Sequence, residues 1–207
     1  MSQKGILAVV SGFSGAGKGT LMKALLEQHS EQYALSISAT TRNPRIGEEH
    51  GREYFFVSRE EFEQMIGQDA LIEHACYVGN YYGTPKSYVM EQMEAGKDVI
   101  LEIEIQGALN VKKKFPDTLL LFVTPPSAKE LESRLRGRGT ETEEVICDRL
   151  KRAAEEAEFM DQYDYILVND DLGECATAMH ELIQSQHAKT SQNLDFVAEM
   201  KRELKQL

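Results

Sequence analysis

The chain has 207 residues, of which 42% are hydrophobic and 28% charged, and its formal net charge is −11. This length and composition indicate a soluble protein with one main domain, and the acidic balance argues against nucleic acid or an anionic membrane as a partner. The three cysteines are far apart and lack metal-ligand spacing, and no apolar run is long enough to cross a bilayer. We therefore expect a reduced, cytoplasmic setting.

Predicted strands and helices alternate along most of the chain. An apolar run at 6–12 indicates a buried parallel strand, and a segment with helical period follows at 20–28. Further strands are predicted at 98–104, 119–123 and 163–169, and further helices at 128–136, 173–186 and 194–204. This order predicts an α/β fold in which a parallel sheet is flanked by helices.

Helix start signals support these assignments. Ser127 with Glu130 has the spacing of a capping box, and so has Ser58 with Glu61 in the next region. The pair 84–85, Thr-Pro, suits the N-cap and first position of a helix that ends near glycine 96.

Residues 38–84 interrupt the alternation. Their candidate strands, "EYFFV" and "CYVGNYYG", are short, aromatic and rich in turn residues, with one helical segment, "EEFEQMI", between them. We predict a small β-rich lobe inserted into the α/β core.

The segment "GFSGAGKGT" at 12–20 joins the first predicted strand to the first helix. It fits the phosphate-binding pattern G-x-x-x-x-G-K-[ST] at Gly12, Gly17 and Lys18. Glycines let successive backbone N–H groups face one anion, the helix adds its positive dipole end, and Lys18 adds a charge that can follow a transferring phosphoryl group. A chance glycine-rich turn is the alternative, and the strand before and helix after argue against it.

Position 19 departs from that pattern, because Gly19 replaces the hydroxyl that would ligate Mg²⁺. Mg²⁺ can be held through substrate phosphates and water if another group orients the water. In "LEIEIQG", residues 101–107, strand alternation would place Glu102, Glu104 and Gln106 on one face. We expect one glutamate to orient metal-bound water and the other to reach substrate or Lys18. An edge strand with a solvated face is the alternative.

Two arginines, Arg42 and Arg45, lie three residues apart in the predicted lobe and could grip a phosphate from two sides, with Tyr54 as a further donor. An ordinary basic surface loop remains the alternative. Glu73 follows two apolar residues in the same lobe. A carboxylate there could accept the paired N–H donors of guanine, which adenine lacks, although a surface glutamate is the alternative.

The stretch "RLRGRGTETEEVICDRL" at 134–150 clusters arginines in an acidic protein. Arg134 and Arg138 share a helical face at i, i+4, whereas Arg136 points away, and Arg149 starts from the next helix. Mobile arginines that close over a transferring phosphoryl group would explain the cluster. Salt bridges at i, i+4 with Glu130 and Glu132 are the alternative.

Taken together, these motifs resemble the guanylate kinase family. The resemblance runs from Gly12 to Asp171 and includes, in order, "SGAGKGT", "SATTRNPRIGEEHGREYFF", "GNYYGT", "LEIEIQGA", "PPS", "RGRGTET" and "VNDDL". The family implies a core at 1–37, 85–130 and 151–207, a monophosphate-binding lobe at 38–84 and a lid at 131–150. Departures are Phe13 in place of proline, Gly19 in place of serine, and Glu102 and Glu104 in place of aspartates.

The resemblance also implies a role for each matching residue. ATP binding would involve Gly12, Phe13, Ser14, Gly15, Ala16, Gly17, Lys18, Gly19, Thr20 and Asn169. GMP binding would involve Ser38, Arg42, Arg45, Tyr54, Glu73, Tyr82, Thr84 and Glu104. Catalysis would fall to Lys18, Arg134, Arg138 and Arg149, and Glu102 would hold Mg²⁺ through water.

The expected activity is transfer of the γ-phosphoryl group of ATP to GMP or dGMP, in purine nucleotide metabolism. The partners are thus ATP and GMP, with Mg²⁺ as cofactor, whereas the oligomeric state stays open. Two rivals remain: a guanylate-kinase-like interaction module without activity, and another P-loop kinase such as an adenylate kinase. The intact loop and arginines argue against the first rival, and Glu73 with "SATTR" argues against the second.

Overall fold

The computed structural model describes residues 4–77, 79–137, 139 and 142–207. Its strands are β1 Leu7–Gly12, β2 Tyr33–Leu35, β3 Ala39–Thr40, β4 Phe55–Phe56, β5 Leu71–Tyr77, β6 Asn80–Pro85, β7 Asp98–Glu102, β8 Leu119–Thr124 and β9 Tyr165–Val168. Its α-helices are α1 Lys18–His29, α2 Arg59–Gly67, α3 Lys86–Glu94, α4 Ile105–Lys114, α5 Ala128–Gly137, α6 Glu143–Ala157, α7 Leu172–Gln186 and α8 Leu194–Leu204.

Five parallel strands form the central sheet in the order β2-β7-β1-β8-β9. Its middle strands β1, β7 and β8 are almost continuously buried, as expected for a parallel sheet covered by helices. The register pairs Val10 with Glu102, so β1 and β7 end side by side. Ligands bind at this carboxyl edge in open parallel sheets, and both candidate phosphate and metal residues lie there.

A second sheet, in the order β4-β3-β6-β5, forms the predicted small lobe. It has its own apolar cluster of Ala39, Phe62 and Leu71, whereas Ile72 packs into the main core. Helix α4 packs against β5 of this lobe and against β1 and β8 of the central sheet. The lobe is therefore held beside the carboxyl edge of the central sheet.

The predicted strand at 98–104 is too long, because β7 ends at Glu102 and α4 begins at Ile105. Ile105, Ala108 and Val111 are the buried residues of α4, a helical spacing that continues beyond the alternating letters. The expectation that Glu102, Glu104 and Gln106 share one strand face is therefore wrong. The edge-strand alternative is wrong as well, because β7 lies between β2 and β1.

The helix start signals are mostly confirmed. Ser58 and Glu61 form a full capping box, and the Ser127 hydroxyl accepts from the Glu130 N–H at 3.1 Å. The assignment at 84–85 is wrong by one position, since Pro85 is the N-cap of α3 and Thr84 belongs to β6. The physical reason is that the Thr84 hydroxyl is engaged elsewhere, as a donor to a carboxylate across the hairpin.

A buried polar network lies at the opposite, amino-terminal edge of the sheet. The Asp98 carboxylate accepts from the Ile6 N–H at 2.7 Å and from Gln184 Nε2 at 2.9 Å, and His187 Nε2 lies 2.9 Å away. The His29 ring on α1 stacks on the His180 ring on α7 with 3.8 Å between centroids. These contacts fasten α7 to the sheet and to α1.

The carboxyl-terminal helix α8 contributes no buried residue, and Leu194, Phe196, Met200 and Leu204 are exposed on it. Across the part of the chain that the structure describes, no helix combines the length and the apolar character needed to cross a membrane. Of the three cysteines, Cys76 and Cys147 are exposed, whereas Cys175 is buried, and burial raises the pKa of its thiol to about 11.

Candidate active site

The phosphate loop occupies the turn between β1 and α1, as predicted. Its backbone has positive φ at Gly12, Gly15 and Gly17, and α1 begins directly afterwards with no acidic residue in its first turn. A Cβ atom on Gly12 would lie 2.1 Å from the Val123 carbonyl oxygen, so only glycine fits there. The glycines thus let the loop backbone come close to a ligand at the N-terminus of α1, an arrangement that suits an anion such as phosphate.

The Lys18 ammonium folds back over this loop. Its Nζ donates to the carbonyl oxygens of Gly12 at 2.8 Å and Phe13 at 3.2 Å. The Phe13 ring is buried and packs edge-on against Phe122, so only the backbone of Phe13 faces the loop. The positive charge of Lys18 is therefore held at the mouth of the loop, where phosphate oxygens would replace the carbonyl contacts.

Asn169, predicted near the adenine, lies beneath the loop. Its side chain is buried, and Nδ2 donates to the Ala16 carbonyl oxygen at 2.8 Å. A Cβ atom on Gly17 would lie 2.6 Å from the same Nδ2. Asn169 consequently supports the shape of the loop, a contact that sequence reasoning did not identify.

The arginine cluster is only partly assembled over the loop. Arg149 on α6 donates from Nη1 to the Ser14 hydroxyl oxygen at 2.5 Å, which joins this helix to the loop. Arg134 donates to Glu130 at 2.8 Å, the i, i+4 salt bridge that was the alternative interpretation. Arg136 pairs with Glu132 and Glu143. Arg138 lies outside the described residues.

A cavity of 600 Å³ opens at the carboxyl edge of the sheet. Gly12, Ser14 and Lys18 line one side of it and Glu102 with Glu104 another, whereas Arg149 and Arg152 approach from α6. A neighbouring 260 Å³ cavity is lined by the loop, including Gly19 and Thr20, and again by Glu102. Candidate site residues from three separate segments therefore face one space.

The chemistry of this space fits magnesium held largely by water. Within the described residues no group of three His, Cys, Asp or Glu side chains could hold a metal ion directly. The exposed Glu102 carboxylate nevertheless faces the phosphate loop across the smaller cavity. One carboxylate beside a loop suited to phosphate would match the preference of Mg²⁺ for oxygen ligands and retained waters.

The candidate monophosphate grip forms one cluster in the small lobe. The Arg42 guanidinium lies 5.3 Å from the Tyr54 ring centroid and donates to Glu48 Oε1 at 2.9 Å, and the rings of Tyr54 and Tyr82 are 6.1 Å apart. Glu48, through this hydrogen bond, raises the pKa of Arg42, which stays charged. Arg45 is exposed and joins the group through its N–H, which donates to Glu48 Oε2 at 2.7 Å.

Glu48 is a member of this cluster that the sequence analysis missed. It accepts from both candidate phosphate-binding arginine segments, and Arg42 lowers the pKa of its carboxyl group. No periodicity links positions 42 and 48, because the intervening chain is a loop. The Glu48 carboxylate therefore holds Arg42 in place.

The candidate base pocket centres on Glu73 of β5. Glu73 Oε1 accepts from the Thr84 hydroxyl at 2.8 Å, and a Cβ atom on Gly107 would lie 3.5 Å from Oε2. Burial raises the pKa of the Glu73 carboxyl group and the Glu104 charge adds to the rise, whereas the hydrogen bond from Thr84 opposes it. Because Oε2 lies beside Gly107, it is the carboxylate oxygen that faces the start of α4, and no side chain at position 107 intervenes.

Ser38 directly precedes β3. The antiparallel register of β3 with β6 pairs Ala39 with Gly83, and its continuation leads from Ser38 toward Thr84.

Comparison with known proteins decides the family. A family model described as guanylate kinase matches residues 4–186. The chain belongs to the guanylate kinase family. Guanylate kinases are ATP:GMP phosphotransferases, so the family assignment favours this activity over that of an adenylate kinase.

Individual guanylate kinases are similar over almost the whole chain. The guanylate kinase of Streptococcus thermophilus is 51% identical over 187 residues, which are 90% of each chain. That of Bacillus subtilis is 49% identical over 91% of this chain and 93% of its own. The crystal structure of guanylate kinase from Anaplasma phagocytophilum superposes with a TM-score of 0.71 at 32% identity, covering 96% of this chain and 95% of that one.

Proposed function

We propose that this guanylate kinase-family chain transfers the γ-phosphoryl group of ATP to GMP and dGMP, giving ADP and GDP or dGDP. The observation that carries the proposal is the single cavity in which Lys18 and the phosphate loop face Glu104 and the arginines of α6. Glu104 in turn lies close enough to Glu73 to affect its pKa, which connects the cavity with the candidate base pocket.

In the proposed reaction, a phosphate oxygen of GMP attacks the γ-phosphorus of ATP, and the bond to the β,γ-bridging oxygen breaks. The second pKa of a phosphate monoester is about 6, so the attacking oxygen is already deprotonated at neutral pH and no general base is needed. The protein contributes alignment and charge stabilisation. Bound Mg²⁺ would neutralise phosphate charge, with Glu102 as the side chain that orients its waters.

The residues divide between donor and acceptor. The loop N–H groups and Lys18 bind the ATP phosphates, and Arg149 moves from Ser14 to the transferring group. Arg134 and Arg138 are proposed to complete this clamp. Arg42, Arg45, Tyr54 and Tyr82 bind the monophosphate, and Glu73, Thr84, Ser38 and Glu104 recognise guanine. Closure of the two lobes over the core would exclude water.

A coupled assay with ATP and each of GMP, AMP, CMP and UMP tests the proposal, with GMP as the expected acceptor. Lys18→Ala should abolish turnover, because it removes the charge at the loop mouth, and should leave the fold intact by circular dichroism. Absence of turnover with GMP in the unmodified chain would favour the interaction module. Equal turnover with AMP would remove the assigned role of Glu73.

A further inference from the structure

Two arginines of α6 lie three residues apart, and therefore on one face, and both contact other segments of the chain. Arg149 reaches Ser14 in the phosphate loop at 2.5 Å. Arg152 reaches a different place, because its Nη2 donates to Glu104 Oε2 at 3.4 Å while its Nε donates to Glu156 at 3.1 Å. One helix face thus touches the donor loop and the acceptor-side carboxylate.

Glu104 has a carboxylate available for this contact. It is the N-cap residue of α4, but its side chain makes no capping hydrogen bond. It lines the main cavity together with Arg152, and its negative charge acts on Glu73 of the base pocket. Glu104 therefore contacts α6 through Arg152, and its charge acts on the carboxyl group of the candidate guanine site.

We propose that Arg152 is a positioning residue that fixes the Glu104 carboxylate for the acceptor nucleotide. This inference rests on the proposed function, because it requires Glu104 to contact GMP. Arg152 itself acts through Glu104 and Arg149 acts on the donor side, so the two arginines have separable effects.

The expected effect is modest, because both side chains are about half exposed, at 60% for Arg152 and 53% for Glu104. An exposed ion pair changes an equilibrium by roughly twofold to fivefold. Arg152→Ala should therefore raise the KM for GMP and the Kd for GMP, measured by calorimetry without ATP, by about that factor. The KM for ATP, kcat and the melting temperature should stay unchanged.

Three further variants make the test specific. Arg152→Lys keeps the charge and should restore most of the GMP affinity. Lys151→Ala is the matched control, because Lys151 is the adjacent, exposed base on α6 and pairs only weakly with Asp148 at 3.5 Å. In a double-mutant cycle, Arg152→Ala should add nothing to the effect of Glu104→Gln on the Kd for GMP.

Additive effects in that cycle, or equal increases in KM for ATP and GMP, would overturn the positioning role in favour of a general effect on α6. An unchanged Kd for GMP in Arg152→Ala would overturn it as well. These outcomes are separate from failure of the proposed function, since that failure would appear as no GMP turnover by the unmodified chain.

Discussion

The side-chain amide of Asn169 donates a 2.8 Å hydrogen bond to the carbonyl oxygen of Ala16, from directly beneath the phosphate loop. Asn169→Ala leaves this carbonyl without its buried donor, a loss that costs about 1–3 kcal/mol. We expect a lower melting temperature by calorimetry and a higher KM for ATP. An unchanged KM for GMP is the internal control, and a GMP-selective defect would contradict the supporting role of Asn169.

Substitution by alanine should destabilise the protein at Gly17 but not at Gly19, two residues further on. Gly17 has φ +88° and a Cβ there would clash with Asn169 Nδ2, whereas nothing lies within 4 Å of a Cβ on Gly19. Gly17→Ala should cost about 1–3 kcal/mol of stability and most ATP affinity. Gly19→Ala, the matched control inside α1, should be neutral or stabilising by up to about 1 kcal/mol. Denaturant unfolding and ATP titration measure both, and equal effects would disprove this account.

The Glu73 carboxyl group should control how GMP use depends on pH. Its pKa is raised, chiefly by burial, so it becomes protonated at a higher pH than an exposed glutamate and loses its capacity to accept two N–H donors. The KM for GMP should rise as the pH falls through that pKa. Glu73→Gln should weaken GMP use by roughly tenfold to a hundredfold at neutral pH.

The pH dependence of the KM for GMP is measured for both Glu73→Gln and the unmodified chain. Titration of the GMP phosphate affects both proteins equally, so it does not contribute to the difference between them. The variant should lack the part of the pH dependence that belongs to Glu73. If KM for ATP suffers as much as KM for GMP, Glu73 has a structural role instead.

Glu102 should set the magnesium requirement. Because it is the carboxylate that lines the small cavity beside the loop, Glu102→Ala should raise the Mg²⁺ concentration for half-maximal activity by roughly tenfold to a hundredfold. Gly19→Ser should keep activity, since the space beside position 19 is open. An unchanged Mg²⁺ dependence in the Glu102 variant would mean that another group orients the metal-bound water.

Acid should weaken the junction between α1 and α7. Burial and the stacked His29 ring lower the pKa of His180, whose Nδ1 lies 2.8 Å from the Tyr33 hydroxyl. Because its pKa is lowered, the folded state favours neutral His180. The contribution of His180 to the free energy of unfolding is complete above the unfolded-state pKa of about 6.5, and it is lost as the pH falls toward the folded-state pKa. His180→Asn should therefore lose less stability than the unmodified chain between about pH 7 and pH 5 in urea unfolding. Parallel stability curves would exclude this contribution.

The strand, loop and helix of the candidate donor site could be predicted from sequence because they are contiguous. The loop, the strand before it and the helix after it lie within residues 7–29, so local spacing was sufficient. The end of β7 could not be predicted, because alternating letters continue to Gln106 while burial of Ile105 and Ala108 begins a helix. A contact across a loop, such as Arg42 with Glu48, leaves no periodic trace in the sequence, and neither does a contact between distant segments, such as Asn169 with Ala16.

Arg152 is a different case, since a signal was present. Its spacing of three from Arg149 places both on one helix face, but the predicted lid boundary at 150 separated them. In the structure α6 continues from Glu143 to Ala157 across that boundary. One continuous helix therefore carries both arginines, and the predicted boundary concealed that continuity.

The distribution of thiols gives this chain built-in attachment points for spectroscopic probes. Cys76 lies on β5 of the small lobe and Cys147 on α6, both exposed, whereas the buried Cys175 has a thiol that stays protonated. Maleimide dyes would therefore mark the small lobe and the arginine-bearing helix and leave the core unlabelled. Energy transfer between them would report the distance from lobe to helix as each nucleotide is added, without any engineered residue.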